Sequence, residues 1–481
     1  MSKKGTYRTV QIRIKSGHDM YNYCDEMCFN SKNLFNTTDY YFRQIFSGIG
    51  KSKRHKNEDE VINGINEKIP LINKKLDEGY KKKVKKGKKA KKPVQFNLLS
   101  KDNKIVTYNL LDAYFKYIDQ VDYRSLPAHT NQNTIKQVIR AWKSYFKLTE
   151  LYRKGELEDE PKIPKYKKKN GRYVVVLSNQ VCVIKDDKDP HKKDKYLKFP
   201  KTNYQFNITK CIDYENFKLK EVRIVPGSSY YILEIVLDLG ESEELSHESK
   251  RILGIDIGVN NFATIVNNVG QRSVIVNGKE LKSINQYYNK KRGHLMSILR
   301  NGKQKDEGQY HSKQLNRLDE KRNAKVKDFL HKSSRYIIDY AIMHGIDTIA
   351  IGYNKGFKQA CNMGKKNNQN FTTIPFKKFI DVLDYKASDA GIKLIVTEES
   401  YTSQASFLDS DELPVYDESN KKTYRFSGKR IKRGLYRTKT GIIINADVNA
   451  AFNIIRKVFP NVNGEWNRGV LEAPIRIRAV C

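Results

Sequence analysis

The order of strand and helix patterns in residues 251–459 constrains the fold more than any other feature of this sequence. Its first part, RILGIDIGVNNFATIVNN followed by SVIVNG, predicts three consecutive strands joined by tight turns. A long charged helical pattern then runs from about 279 to 344 and ends at Gly345, a residue suited to a C-cap. Next come a buried strand (DTIAIG), a helix opened by Pro375 and closed by Gly391, a second buried strand (KLIVTEES) and a closing helix (NADVNAAFNIIRKVF).

This order predicts an α/β domain of the RNase H-like type in the C-terminal part of the chain. Three strands followed by helix, strand, helix, strand and helix are typical of that fold, in which the first strand is central. The closing helix has one apolar face, formed by Val448, Ala451, Phe452, Ile455 and Phe459. We expect this face to lie across the first strand and the strand KLIVTE, which lies on one side of it.

The N-terminal half predicts a helical region enclosed by strands. Residues 6–15 alternate as an edge strand does, and residues 18 to about 155 are helical and polar, interrupted by a solvated lysine-rich loop at Lys81–Lys92. In the clearest helix, Thr130–Leu148, apolar residues recur at helical spacing: Ile135, Val138, Ile139, Trp142, Tyr145 and Phe146. After the break at Asp159–Lys169, four strand-like runs predict a small β-barrel or sandwich built with the first strand.

Carboxylates stand at the ends of the predicted strands and at the start of the last helix. Asp256 lies in the apolar strand LGIDIG, where it either binds a metal or forms a strand-end salt bridge, because an unpaired buried charge is costly. Glu398 and Glu399 end the strand KLIVTE, and alternation puts Glu398 on the face of Val396 and leaves Glu399 facing away as a solvated loop residue. Asp447 begins the last helix, where the helix dipole favours a carboxylate regardless of function.

In the predicted fold, Asp256, Glu398 and Asp447 can converge at one edge of the sheet. Hard oxygen ligands of this kind suit Mg²⁺ or Mn²⁺. Two such ions can activate water and stabilise the leaving oxygen during in-line hydrolysis of a phosphodiester bond. No Ser-His-Asp, P-loop or HExxH pattern competes for a catalytic role.

Charge and composition predict a polyanionic partner. The chain has 91 Lys and Arg against 54 Asp and Glu, a formal net charge of +37 that is spread over its whole length, as in nucleic-acid-binding proteins. Exposed members of its thirty Tyr and twenty Phe can stack on unpaired bases, although core packing is the commoner role of such residues. The sequence has no CxxC pair, signal peptide or membrane-length apolar run, so we expect a cytoplasmic protein associated with nucleic acid.

Four segments resemble a known family. GIDIGVNNFAT (254–264), TIAIGYNKGFKQ (348–359), the stretch from IPFKKFIDVL to QASFLD (374–409) and the stretch from FSGKRIKRGLYR to FNIIRK (426–457) closely resemble TnpB, the insertion-sequence OrfB protein, which is related to type V CRISPR effectors. Weaker echoes are YRSLPAHTNQNTIKQVIRAWKSYF and PKIPKYKKK in the N-terminal half. The resemblance implies a Mg²⁺- or Mn²⁺-dependent DNA endonuclease directed by a guide RNA to target DNA.

The same resemblance implies site residues and a domain organisation. Its catalytic and metal-binding carboxylates would be Asp256, Glu398 and Asp447. It also implies four segments, namely the first strand of a wedge β-barrel at 1–17, a helical recognition lobe at 18–158, the remaining barrel strands at 159–245 and a RuvC nuclease domain at 246–481. The nuclease domain would include a ribbon-like insert at about 403–444.

Two features depart from the family pattern. Many members carry their second acid five residues before the Tyr of YTS, where this chain has Val396, so Glu398 takes that role, with the adjacent Glu399 as the alternative. Many relatives hold the insert with zinc, but Ser403–Asp447 contains no Cys or His, and no structural zinc is expected. Basic residues of this insert either contact phosphate or form a solubilising surface; they are Lys429, Arg430, Lys432 and Arg433.

Two other functions draw on the same features. A guided DNA-binding repressor without nuclease activity would be expected to lose one of the carboxylates, and all three positions can be filled here. An unguided RuvC-type nuclease or transposase would use the same acids. Only the size of the basic N-terminal half argues for a bound RNA in preference to that alternative.

Overall fold

The computed structural model divides the chain into two compact units, Met1–Glu243 and Glu244–Cys481. The structure describes residues 5–87, 89–104, 106–187, 189, 191–212, 216–241, 249–304, 307–354, 364–415, 423–432, 434–462, 464 and 471–479. Within those residues, none of the helices combines the length and the apolar character needed to cross a membrane.

Helices make up much of the first unit. Their bounds are α1 Tyr21–Gly48, α2 Lys56–Lys85, α3 Tyr108–Tyr117, α4 Val121–Ser125 and α5 Thr130–Arg153. At the contact between α1 and α5, Trp142 is fully buried and its indole N–H donates a hydrogen bond to Asp39 at 2.8 Å. The predicted apolar stripe of α5 is confirmed as far as Trp142, but Phe146 at its end is 41% exposed.

The lysine-rich segment is in part helical, which corrects the prediction of a loop over Lys81–Lys92. Helix α2 continues through Lys85, and the side chains of Lys81, Lys82, Lys83 and Lys85 are exposed. Lysine is a good helix former, and a solvated ammonium does not oppose the helix when it points into water. Helix α2 therefore ends later than the lysine-rich composition of this segment suggested.

The strands of the first unit form two antiparallel sheets. The larger has the order β1-β7-β6-β2 and the smaller the order β3-β4-β5. Their bounds are β1 Gly5–Lys15, β2 Val175–Ser178, β3 Val183–Asp186, β4 Lys195–Lys198, β5 Gln205–Asn207, β6 Lys218–Pro226 and β7 Tyr230–Glu241. Strand β1 pairs with β7, although the two strands are more than two hundred residues apart in sequence. As predicted, β1 lies at an edge of the sheet. A closed barrel stays a prediction, because β1 and β2 are the two edges of the described sheet.

The second unit contains a six-stranded sheet, a three-stranded sheet and five described helices. The strands are β8 Ile252–Ile257, β9 Asn261–Asn267, β10 Val274–Asn277, β11 Thr348–Gly352, β12 Lys393–Thr397, β13 Lys429–Lys432, β14 Leu435–Arg437, β15 Ile443–Asn445 and β16 Ile475–Ile477. The helices are α6 Lys279–Arg300, α7 Lys313–Met343, α8 Lys365–Thr372, α9 Phe376–Asp389 and α10 Ala446–Val458.

The six-stranded sheet places β8 near its centre. Its order is β12-β11-β8-β9-β10-β16. Strands β8, β9 and β10 form an antiparallel meander, and β11 is parallel to both β8 and β12. These strands and helices follow one another in the predicted order, but the long helical pattern is divided into α6 and α7. Helix α8 and strand β16, which lies beside β10, are elements that the sequence did not predict.

Two glycines allow α10 to lie directly on this sheet. A Cβ on Gly254 of β8 would come within 2.5 Å of Ile455 and 2.7 Å of the Ala451 carbonyl oxygen. A Cβ on Gly352, the last residue of β11, would come within 2.7 Å of Ile454. Since neither contact leaves room for a side chain, these glycines allow the close approach of α10 to β8 and β11.

Candidate active site

Asp256 brings a carboxyl group to the end of the central strand. Burial raises the pKa of this carboxyl well above its usual range, and the negative charges of Asp447 and then Glu399 raise it further. The guanidinium of Arg430 lowers it, but does not outweigh the other effects. Such a group is costly to ionise alone and favours a site that binds a cation.

Asp447 lies in the first turn of α10 without acting as its cap. The side chain of Asn445 is the cap, since its Oδ1 accepts hydrogen bonds from the backbone N–H groups of Asp447 at 3.0 Å and Val448 at 3.2 Å. The Asp447 carboxylate instead accepts a hydrogen bond from the amide of Asn261 and pairs with Arg430 at 3.5 Å. Asn445 therefore fills the capping role that the sequence left open for Asp447.

Glu399, and not Glu398, lies close enough to Asp256 to raise the pKa of its carboxyl. The backbone N–H of Glu399 donates to Asn354 Oδ1 at 3.0 Å, which fixes the chain beside β11. The space left by Gly352 accommodates the Glu399 side chain, whose Oε2 would stand 3.2 Å from a Cβ at that glycine. Burial raises the pKa of the Glu399 carboxyl to about 7.

The Glu398 side chain has a different partner, which corrects the predicted placement of this residue. Its carboxylate forms an ion pair with Lys457 of α10, whose side chain is 5% exposed, and accepts a hydrogen bond from the Ser400 N–H at 2.8 Å. The prediction extended strand alternation over both glutamates, but β12 ends at Thr397. Beyond that residue the chain turns, so the two-residue period no longer determines which acid faces the sheet edge.

The sequence did not indicate a role for Asn261 or Lys457. Asn261 starts β9, donates to Asp447 and accepts a hydrogen bond from Arg476 at 3.1 Å. Lys457 forms the ion pair with Glu398, and burial lowers the pKa of its ammonium to about 8. No sequence signal distinguishes these two from ordinary surface residues, because both gain their roles from contacts across the fold.

The three acids have the donor chemistry that divalent cations prefer, although their carboxylates do not surround a single point in space. Asp256, Glu399 and Asp447 supply only carboxylate oxygens, the donors that Mg²⁺ and Mn²⁺ prefer. Within the part of the chain that the structure describes, no three His, Cys, Asp or Glu side chains are placed to hold a metal ion as they stand. Coordination of an ion by these acids would therefore require their side chains to rearrange.

The basic insert reaches this site through Arg430. Strand β13 carries Lys429, Arg430 and Lys432 with exposed side chains, while Arg433 lies outside the described residues. Strands β13, β14 and β15 form an antiparallel sheet around Tyr436, which is fully buried and donates from its hydroxyl to the Gln404 carbonyl at 2.8 Å. An aromatic core thus supports the sheet beside α10.

The raised pKa of Glu399 gives a testable pH dependence of stability. Between its ordinary pKa of 4.5 and about 7, the unfolded chain loses a proton that the folded chain keeps, so folded stability falls as pH rises through this window. We expect Glu399→Gln to stabilise the metal-free protein at pH 8, by up to about 3 kcal/mol, and to have little effect at pH 4.5. Thermal unfolding in a chelator at both pH values measures this, with Glu398→Gln as the matched control. Equal melting-temperature shifts at the two pH values would argue against a buried, protonated Glu399.

Family models match two segments of the chain, which together lie between residues 235 and 454. Residues 235–358 match OrfB_IS605, described as a probable transposase, and residues 376–454 match the Cas12f1-like TNB domain. Asp256 lies in the first of these segments, and Glu398, Glu399 and Asp447 lie in the second. The matches confirm the resemblance to the TnpB family that the sequence predicted.

Similarity to individual proteins is more limited. The chain is 29% identical over 221 residues to the CRISPR-associated endodeoxyribonuclease Cas12f1 of Sulfoacidibacillus thermotolerans, a match that covers 44% of this chain and 46% of that protein. The chain therefore spans about half of the length of this relative.

Solved structures match over most of the chain but at low similarity. A cryo-EM structure of a Cas12f1-sgRNA-target DNA complex is 15% identical, with a TM-score of 0.30 over 93% of this chain and 98% of that one. A crystal structure of an AacC2c1-sgRNA-extended non-target DNA ternary complex is 9% identical, with a TM-score of 0.37 over 90% and 70% of the two chains. Likeness at this level does not establish a common fold.

Proposed function

We propose that this chain, which carries segments of the TnpB and Cas12f1-like type, is an RNA-guided DNA endonuclease of probable-transposase ancestry. One observation carries the proposal: the buried carboxyl of Asp256 lies under the charges of Glu399 and Asp447, at the ends of neighbouring strands and of the helix that crosses them. All three acids fall within the two segments that match the family models. Three acids at one edge of a sheet suit phosphodiester hydrolysis, and no other pattern in the sequence suits this reaction as well.

In this proposal Asp256, Glu399 and Asp447 hold the divalent cations. Two Mg²⁺ or Mn²⁺ ions bound there would supply an activated water and stabilise the oxygen that leaves the scissile phosphate. Asn261 orients the Asp447 carboxylate through its amide hydrogen bond, and the Lys457–Glu398 pair anchors the turn that presents Glu399. Arg430, already beside Asp447, would bind a phosphate of the DNA strand together with Lys429 and Lys432.

The remaining organisation is proposed from the same resemblance. Residues 246–481 would be the RuvC nuclease domain, and the strand order β12-β11-β8-β9-β10 supports an RNase H-like sheet there. Segments 1–17 and 159–245 would form the wedge, and 18–158 the helical recognition lobe. Segment 403–444 would be the insert without zinc, stabilised by the buried Tyr436.

Guide RNA is the proposed partner that accounts for the charge. A net charge of +37 over the whole chain is more than a short DNA contact neutralises, and a bound RNA would satisfy it while selecting the target by base pairing.

We therefore expect the protein, expressed together with the DNA that flanks its gene, to purify with one discrete RNA species. Ribonuclease treatment should abolish cleavage of DNA that matches this RNA, and adding the RNA back should restore it. Sequencing of the bound RNA and a cleavage assay measure both effects. Cleavage that survives complete removal of RNA would favour the unguided nuclease instead.

A further inference from the structure

The first unit contains an aromatic cavity that the proposed nuclease chemistry does not use. It lies between the C-terminal half of α1, the middle of α5 and the chain around residue 104, and its volume is about 560 Å³. This volume falls within the range of roughly 300–1,000 Å³ that is typical of pockets for small organic ligands. The cavity is therefore large enough for a flat heteroaromatic ring.

The walls of the cavity present aromatic faces to solvent. Phe46 is 46% exposed and Phe146 is 41% exposed, and their ring centroids are 5.7 Å apart. Trp142 behind them is fully buried, with its centroid 5.2 Å from that of Phe46. Large apolar rings that remain in water lose the free energy of burial, and a ligand that stacks on them regains it.

The polar groups at the cavity favour an anionic ligand. Lys104 and Lys143 contribute exposed ammonium groups to the lining, and no acidic side chain lines the cavity among the described residues. The indole N–H of Trp142 is already satisfied by Asp39, so the ring is left as an apolar wall. An apolar peptide would have no use for the two cations, whereas a nucleotide combines a stacking base with a phosphate.

We infer that this cavity binds one unpaired nucleobase, stacked against Phe46 and Phe146, with the adjoining phosphates at Lys104 and Lys143. The inference rests on the proposed function only in that a nucleic acid is bound. RNA and DNA share the required chemistry, since every base has a stacking face. The cavity would therefore hold one strand in place without reading its sequence.

The test compares short oligonucleotides on the full-length chain after high-salt removal of co-purified nucleic acid. The double variant Phe46→Leu/Phe146→Leu keeps apolar volume but removes both aromatic faces. Tyr152→Leu is the matched control, because Tyr152 is an exposed aromatic residue of α5, the helix of Phe146, and lies outside the cavity. Fluorescence anisotropy would measure the affinity of each variant for hexauridylate, hexathymidylate and an abasic hexamer. Mobility on size exclusion would report any change in self-association.

The double variant should bind base-containing hexamers about 5- to 150-fold more weakly, as expected for the loss of stacking on one base. Its affinity for the abasic hexamer and its salt dependence should match those of the unaltered chain and of Tyr152→Leu. Lys104→Gln/Lys143→Gln should instead reduce the slope of log affinity against log salt by about 1.4, for two phosphates on a single strand. Loss confined to hexauridylate would assign the base to RNA, and loss confined to hexathymidylate would assign it to DNA.

Two results would overturn the inference. One is unchanged affinity of the double variant for both base-containing hexamers. The other is a change in self-association with no change in base binding, which would make the aromatic face a protein-docking surface. Neither result depends on cleavage, so failure here is separate from failure of the proposed nuclease function.

Discussion

Replacement of Asp256 by asparagine should lower the rate of Mg²⁺-dependent DNA cleavage by at least about 10³-fold. The substitution keeps the size of the side chain but removes the charge at the end of β8, where the structure places it beside Glu399 and Asp447. Neutral amide oxygen is a much weaker ligand for a hard divalent cation than carboxylate oxygen. Cleavage of guide-matched DNA under single-turnover conditions measures the effect.

Binding gives the control for this substitution. Because Asp256 is a buried acid in a very basic chain, Asp256→Asn should leave the affinity for guide and target within a few-fold. It should also not unfold the protein, since it removes a carboxyl whose pKa burial and two like charges raise. Asp447→Asn should give the same separation of cleavage from binding. Substantial residual cleavage by either variant would place the active site elsewhere.

Glu399→Gln and Glu398→Gln should differ sharply in cleavage. We expect Glu399→Gln to lose about 10²- to 10⁴-fold in rate, because its carboxylate belongs to the group that includes Asp256. We expect Glu398→Gln to stay within about 10-fold of the unaltered chain, since its charge is engaged by Lys457. Parallel cleavage assays of the two neighbouring variants measure this difference at fixed Mg²⁺.

The two variants should also differ in stability, and here Glu398→Gln should have the larger unfavourable effect. Glu398→Gln leaves the ammonium of Lys457, with 5% exposure, without its anionic partner, and should destabilise the protein by about 1–2 kcal/mol. Glu399→Gln removes a like charge and should not destabilise the metal-free protein at pH 8. If Glu398→Gln abolished cleavage while Glu399→Gln retained it, the assignment made from the sequence would stand and the one made from the structure would be wrong.

The sequence predicted the sheet of the second unit because periodicity and order carry that information. Short apolar runs bounded by glycine, such as LGIDIG and TIAIG, favour buried strands, and the meander followed by alternating helices and strands leaves few topologies. The strand order and the position of β8 agree with this expectation. The small C-terminal strand β16 was not predicted, since its residues Ile475–Ile477 lack a distinctive pattern.

The structure favours a different second acid from the one that the sequence predicted, and the reason is local. Glu398 and Glu399 are adjacent, and the choice between them depends on where the strand stops. Element ends are set by side-chain contacts such as Asn354 with the Glu399 N–H and Lys457 with Glu398, which involve residues distant in sequence. A pattern along the chain does not contain those contacts.

Binding of an anomalously scattering ion tests most directly whether Asp256, Glu399 and Asp447 hold divalent cations. Crystals of the full chain grown with Mn²⁺ and measured at the manganese absorption edge would locate each ion without reference to activity. We predict manganese peaks ligated by Asp256, Glu399 and Asp447, which are lost in crystals of Asp256→Asn. Manganese bound to Glu398, or absent from this edge of the sheet in protein that cleaves DNA with Mn²⁺, would contradict this prediction.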